Sequence, residues 1–405
     1  MDKFVCAFRG RRDGYQVPMA LAEAGKLERF ITDAYAGPML RAAAPLFPNR
    51  MRAKVQFRHA DGIPDNRVSC LWGITAIEHL RHRLGYSRPL TFATLNQNFS
   101  RTAAHFASRN KSNLFLYSPY AWEAFTASYR HVPRKVLFQY HPHPILEQRI
   151  FVEDSERHPN FYKSSVERIA PLPELLERRE RDCWRHADLI FCASRFTQHS
   201  LLEVGCDERR CCVVPYGIDM PVAIGDGTPP DSFQVVFVGS GVKRKGLHHL
   251  LLAWQKASLP KASKLTLVCR VIDSEIERLA AATPNVEIIR GVSQQQLTRL
   301  YSSSCLFAMP SLVEGFGQVY LESLAQGCPV LGTPNTCLPD LGGEQEGVFL
   351  VSPGNIDELL EKLEGLGKIL PNNHKIRMAA RDCAAKFTWP AFRERIIKEI
   401  GGLCP

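Results

Sequence analysis

Two glutamates, Glu314 and Glu322, stand with seven residues between them, and the turn Glu314-Gly315-Phe316-Gly317 opens the interval. Taken singly, each is an ordinary solvated carboxylate, because Glu is seldom buried without a partner. The turn changes that reading. Gly315 to Gly317 precede a helix-length segment, Gln318 to Gln326, so backbone N–H groups and the positive helix end converge on one spot suited to phosphate. Glu314 lies before that helix and faces a ligand's far end; Glu322, about a turn and a half inside, faces its near end. A second anion-binding stretch is Gly239-Ser240-Gly241-Val242-Lys243-Arg244-Lys245-Gly246, with three consecutive cations ahead of another helix. His141 follows the strand-like run Lys135–Tyr140 and so falls at the carboxyl edge of a sheet, where ligands bind in open parallel folds. A lone His at such a place is more often structural.

The elements that must position these residues alternate. Phe4–Phe8 reads as a strand, and a loop with Arg9, Arg11, Arg12 and Tyr15 leads to a helix over Val17–Ala24. Apolar residues from Cys70 to Leu84 recur at helical spacing; residues 153–182 are charged and helical, interrupted at Pro171 and Pro173. Ala187–Ser194 is a strand running into an N-cap serine, and Val213–Asp219 a strand and exit turn. The turn-rich stretch Gly225–Pro230 marks a domain boundary. Beyond it, Phe233–Val238, Lys264–Val268, Val286–Ile289, Cys305–Met309 and Pro329–Thr333 read as strands. Helices are expected over Leu247–Ala257, Gln294–Tyr301, Ile356–Leu366 and Lys375–Lys386, with a last one to Ile400. The unit from Cys305 to Thr333 is a βαβ motif whose crossover should be right-handed.

Three chemistries compete for the Gly239–Gly246 loop. As a P-loop it carries Gly241 and Gly246 with four residues between them, but Leu247 and His248 stand where Lys and Ser/Thr must reach phosphate and magnesium. As a dinucleotide fingerprint it places Arg244 at the third glycine, with no acidic residue about 20 positions on to hold a ribose. As a sugar-nucleotide loop, its cations before a helix fit a diphosphate, and this reading accommodates the residues best.

At 405 residues, with 45% hydrophobic and 23% charged residues, two globular domains are expected. No apolar run is long enough to span a membrane, and the first residues show no signal-peptide pattern. The 13 cysteines are scattered, with no C-x2-C pair, and Cys206, Cys211 and Cys212 lack His partners at zinc spacing. Reduced thiols in a cytoplasmic protein follow as the expectation. Nearly all of the net charge of +10 falls on residues 1–220. There Arg50, Arg52, Lys54 and Arg58 interleave with Met51, Val55 and Phe57, and Arg81, His82, Arg83 and Arg88 cluster further on. A solvated helix face or a docking patch for anionic headgroups would account for them. Nucleic acid is not an expected partner.

The run Pro310-Ser311, Glu314-Gly315-Phe316-Gly317, Glu322-Ser323, Ala325, Gly327, Pro329-Val330 resembles the signature of family 4 of the retaining nucleotide-sugar glycosyltransferases. The match covers nearly the whole chain and is strongest from about residue 180 onward. The resemblance implies an α/β protein of two Rossmann-like domains facing a cleft, the B-type fold. The N-terminal acceptor domain would span 1–220, the nucleotide-sugar domain 221–385, and a C-terminal helix, 386–405, would cross back. By resemblance, Glu314 contacts the donor sugar, Glu322 holds the ribose, His141 flanks the anomeric carbon, and Lys245 and Arg244 stabilise the leaving diphosphate. Gly239, Gly241, Lys243, Arg290, Val292, Gly315, Phe316 and Gly317 complete the donor site, and Arg9, Arg11, Arg12 and Tyr15 border the acceptor, a saccharide or lipid-linked saccharide. Ser240 departs from the pattern, since many members carry Arg directly after the first glycine. No Asp-x-Asp motif is present, and neither metal nor cofactor is expected. A sugar-nucleotide epimerase on the same fold and a non-catalytic nucleotide- or sugar-binding protein stay open.

Overall fold

The structure is a computed structural model that describes residues 2–84, 88–131, 133–163, 174–221 and 230–402. Two parallel sheets organise it. The first contains β1 (Phe4–Ala7), β2 (Leu27–Thr32), β3 (Val68–Cys70), β4 (Asn113–Tyr117), β5 (Lys135–Gln139), β6 (Leu189–Cys192) and β7 (Cys211–Val213), in the order 3-2-1-4-5-6-7. The second contains β8 (Gln234–Val238), β9 (Lys264–Val268), β10 (Val286–Ile289), β11 (Leu306–Ala308), β12 (Val330–Gly332) and β13 (Val348–Leu350), in the order 10-9-8-11-12-13. Helices on both faces explain why β1 and β4 are buried at every position and carry almost no polar side chains.

Each sheet reverses its winding direction once, between β1 and β4 in the first and between β8 and β11 in the second. Connections leave in opposite directions at such a point and open a crevice at the strands' carboxyl ends. The loops there are 8–15 in the first domain, and 239–246 with 309–317 in the second. Arg244, Lys245 and Glu314, from these two loops of the second sheet's switch point, converge on one place.

The chain passes between the domains twice. Ile218 N donates to Phe387 O at 3.0 Å, and Ile218 forms a parallel bridge with Thr388, so the two crossings lie side by side. The helix Trp389–Gly401 then packs on the Gln16–Glu23 helix, where Arg393 donates to Gln16 Oε1 at 2.6 Å and pairs with Glu23 at 2.8 Å. No helix among the described residues is long and apolar enough to cross a membrane.

Several expectations shift on contact with the structure. The exit strand is shorter and earlier than Val213–Asp219, because only Cys211–Val213 pairs with β6. The charged stretch 153–182 resolves into the end of a helix, Pro144–Arg157, a single turn at Pro159–Tyr162 and a helix over Glu174–Asp182. Pro171, Pro173 and, but for Pro230, the stretch 225–230 lie outside the described residues. Among the described residues the cysteines are free thiols, most of them buried.

Candidate functional site

The second-domain wall is built by glycines that permit close approach. Gly239 (φ +153°) turns the chain out of β8, and Gly246 (φ +67°) starts the Leu247–Lys256 helix, where a side chain would overlap the carbonyl of Pro310. That contact presses loop 239–246 onto loop 309–317, and Leu312 N donates to Arg244 O at 2.8 Å. The result is a compact charged triad. Arg244 Nη1 and Lys245 Nζ each lie 2.5 Å from Glu314 Oε1. Burial opposes charge on Glu314, but Lys245 and Arg244 outweigh it and hold the carboxyl below the ordinary carboxylate range. Lys243, expected at the donor, turns the other way into a buried ion pair with Asp273 at 2.7 Å. Asp273 lies on the loop after β9 and captures this cation, while Arg244 and Lys245 turn to Glu314.

Gly315 touches the opposite domain: a side chain there would overlap the Tyr140 carbonyl and crowd His141. The N–H groups of Gly315, Phe316 and Gly317 meet no acceptor among the described residues. Gly317, in the left-handed region (φ +88°), caps the Gln318–Ala325 helix. The side chain of Phe316 is not at the donor face; it packs edge-on against Tyr216 at 5.2 Å in the seam between domains. Glu322 is half-buried in the Gln318–Ala325 helix. Burial pushes its carboxyl up, and the Tyr301 phenol pulls it back.

From the first domain comes His141, directly after β5. Its side chain is open to the cleft, yet protein surrounds it closely. Loss of surrounding water lowers its pKa to about 4, with Glu314 opposing and Arg244, Arg12 and Lys245 adding to the drop. Gln139 Nε2 donates to the His141 carbonyl at 2.8 Å and fixes that turn. Arg12 stacks on Tyr140 at 4.1 Å, and Asp13 accepts from the Tyr117 hydroxyl at 2.6 Å. A cavity of about 330 Å³ opens here, lined by His141, Tyr140, Glu147, Glu180 and Arg244 among others. Arg9 is half-buried, while Arg11 is exposed and lies over Phe57. Tyr15 is not an acceptor residue: it is fully buried among Phe8, Phe30 and Tyr35, a core aromatic that anchors the loop. His143 is likewise structural, buried with Nε2 at 2.9 Å from the Arg181 carbonyl.

A second cavity of about 280 Å³ joins Gly239, Ser240, Gly291, Val292, Arg270 and Leu297 at the carboxyl ends of β8 to β10. Gly241 lies behind it, so close to Ile272 that no side chain would fit. Val292 is in this wall as expected. Arg290 instead forms an exposed pair with Glu277, and Arg270 is the cation that faces the cavity.

Residues 232–368 match the family model described as glycosyl transferases group 1. The second domain is similar to that family. Curated relatives match longer stretches than the family model. The chain is 25% identical over 223 residues to the MMP alpha-(1->4)-mannosyltransferase of Mycolicibacterium hassiacum, covering 53% of this chain and 54% of that protein. It is 30% identical over 185 residues to the sulfoquinovosyl transferase of Arabidopsis thaliana, covering 45% of this chain and 35% of that one. The chain thus spans about half or less of these relatives' length. Solved structures share the whole fold. Sucrose-phosphate synthase from Thermosynechococcus elongatus superposes with a TM-score of 0.69 at 17% identity, over 100% of this chain and 99% of that one. Anabaena HepE in complex with UDP gives 0.62 at 15%, over 100% of both.

Proposed function

We propose that the protein is a retaining glycosyltransferase that moves a hexose from a nucleoside-diphosphate sugar to a saccharide or lipid-linked acceptor, in synthesis of envelope or exported polysaccharide. The observation that carries this reading is the Glu314 carboxylate, buried between Arg244 and Lys245 and facing His141 across the cleft. When a diphosphate enters, its oxygens compete with Glu314 for the two cations, and the N–H groups of Gly315 to Gly317 add neutral donors. Departure of the nucleoside diphosphate builds negative charge at that cradle, and preorganised cations stabilise it without reorganising solvent. Glu314, released from its partners, is placed to hold sugar hydroxyls rather than to attack. His141, neutral at pH 7, contributes a polar wall without adding charge at the anomeric carbon. The acceptor enters from the cavity that His141 shares with Glu147 and Glu180 and attacks on the leaving-group side, with a departing phosphate oxygen taking its proton. No step calls for a metal ion.

The acceptor's setting is read from the first domain. Around the basic residues Arg50, Arg52, Lys54, Arg81 and Arg83, the apolar side chains of Met39, Leu46, Met51, Phe57, Trp72 and Leu84 are all exposed. Large apolar side chains exposed in the same stretches of sequence as cations suit the cytoplasmic surface of an anionic membrane. Arg58 drops out of this patch, because it is paired with Asp33 at 3.0 Å.

Product analysis with a panel of nucleotide sugars and saccharide acceptors tests the reading. Transfer yields a new glycoside with the donor's anomeric configuration. A changed nucleotide sugar without a glycoside would mean epimerisation, and no product at all would mean a binding protein.

A further inference from the structure

We propose that Asp154, His158 and His249 form a transition-metal site of the zinc class that fastens one domain to the other. Asp154 lies in the last turn of the Pro144–Arg157 helix, His158 caps that helix, and His249 sits in the first turn of the Leu247–Lys256 helix of the second domain. One ligand atom from each falls within 4.8 Å of the other two.

The carboxylate is divided between two tasks. Asp154 Oδ2 accepts from the Tyr162 hydroxyl at 2.5 Å and faces His248 Nε2 at 3.0 Å. Oδ1 faces the second domain, where His249 Nε2 stands 2.8 Å away but off the line of a hydrogen bond. Both ring nitrogens of His249 lack a hydrogen-bond partner although the residue is 1% exposed. A buried imidazole left in that state is costly, and an ion between the nitrogen and Oδ1 would satisfy both. Tyr162 and His248 then act as the outer shell that fixes the ligating carboxylate.

The donor set selects the ion. Two imidazole nitrogens and one carboxylate oxygen suit Zn2+, with Co2+ and Ni2+ as stand-ins, and leave a fourth position open. Four-coordinate ligation at bonds of about 2.1 Å separates ligand atoms by roughly 3.4 Å, so a pair as wide as 4.8 Å must draw in by about 1.4 Å. His158 can supply that movement, because it sits at a helix end and is only partly buried. It also provides the entrance. An ion here would pin the helix that begins directly after Lys245, and with it the closed position of the cationic loop.

The test uses the full chain without a histidine tag, stripped by chelation and dialysed. Calorimetric titration with Zn2+ should show one equivalent bound in the micromolar range or tighter, and Co2+ should give the strong visible absorption of a four-coordinate ion. His158→Ala and His249→Ala should each weaken binding at least tenfold, while His374→Ala, at an exposed position elsewhere, should not. Circular dichroism checks the folded state; if His249→Ala fails to fold, the partly exposed His158→Ala decides alone. Absence of stoichiometric Zn2+ binding, or a His158→Ala protein that binds like the wild type, would overturn the site and leave an ordinary Asp–His contact between domains.

Discussion

The Ser194 hydroxyl donates a 2.6 Å hydrogen bond to the carbonyl oxygen of Gly315, and Thr197 reaches the same oxygen at 3.2 Å. Ser194 caps a first-domain helix, whereas Gly315 belongs to the anion-binding turn of the second. Closure of the cleft and the geometry of that turn are thus set by one contact. Gly315→Ala would push a methyl group into the Tyr140 carbonyl and force the turn to retreat. A displacement of about 1 Å at a reacting centre costs on the order of a hundredfold. Turnover should fall by about that factor with circular dichroism unchanged and a larger radius in X-ray scattering. Wild-type turnover would show that the close approach is dispensable.

Glu314→Gln and Lys245→Ala should each lower kcat by about a hundredfold, as loss of a transition-state contact does. The two variants should differ in affinity for the leaving group. In Glu314→Gln the cations lose their competing carboxylate, so UDP or GDP should bind at least as tightly as to the wild type; in Lys245→Ala it should bind more weakly. Calorimetry with the nucleoside diphosphates separates them.

Glu322→Ala should raise the donor KM and largely keep kcat, because a ribose contact is made equally in the ground and transition states. A large fall in kcat at constant KM would mean that the two glutamates have exchanged roles.

His141 should titrate near pH 4 when followed by NMR in the unliganded protein. Its folded pKa is below the unfolded value of about 6.5, so the unfolded chain binds the extra proton first. The contribution of His141 to stability is therefore present above about pH 6.5 and is lost as pH falls toward 4. Bound diphosphate, being anionic, should move the midpoint upward. A midpoint near 6.5 without ligand would remove the crowded, cation-flanked environment from the account.

The wild type should sediment with vesicles rich in anionic lipid at low ionic strength and release as salt rises, since each basic residue near such a surface contributes about 1 kcal/mol. Replacing Arg50, Arg52, Arg81 and Arg83 with Ser should abolish sedimentation and leave donor binding intact. A wild type that stays in the supernatant at low salt ends the membrane reading.

The second domain is far more legible in the sequence than the first. Lys264–Val268 and Val286–Ile289 are mostly apolar or β-branched runs, interrupted only by Lys264 and Glu287, and both are strands with those limits. In the first domain β2 carries Glu28 and Arg29 within it and β3 is three residues long, so neither declares itself locally. Lys243, Arg244 and Lys245 are three equal cations in the sequence. What divides them is Asp273, which reaches Lys243 from another loop, and Glu314, which takes the other two. Tyr15 follows three arginines in a loop and reads as accessible; its burial depends on Phe30 and Tyr35, on elements beyond local pattern. Arg270 could have been noticed as the cation directly after β9, whereas the pairing of Asp154 with His248 and His249 spans some 95 residues and two helices.

The return of the Trp389–Gly401 helix onto the Gln16–Glu23 helix has a consequence for biosynthesis. Chains emerge from the ribosome N-terminus first, and domains generally fold as they emerge. Here the first domain is synthesised long before residues 389–401 can cover it, so Gln16 and Glu23, on the covered helix, wait without Arg393 while the entire second domain is made. The nascent first domain is thus held in an unfinished state whose release coincides with completion of the second domain, and premature termination anywhere before residue 389 leaves that helix uncovered.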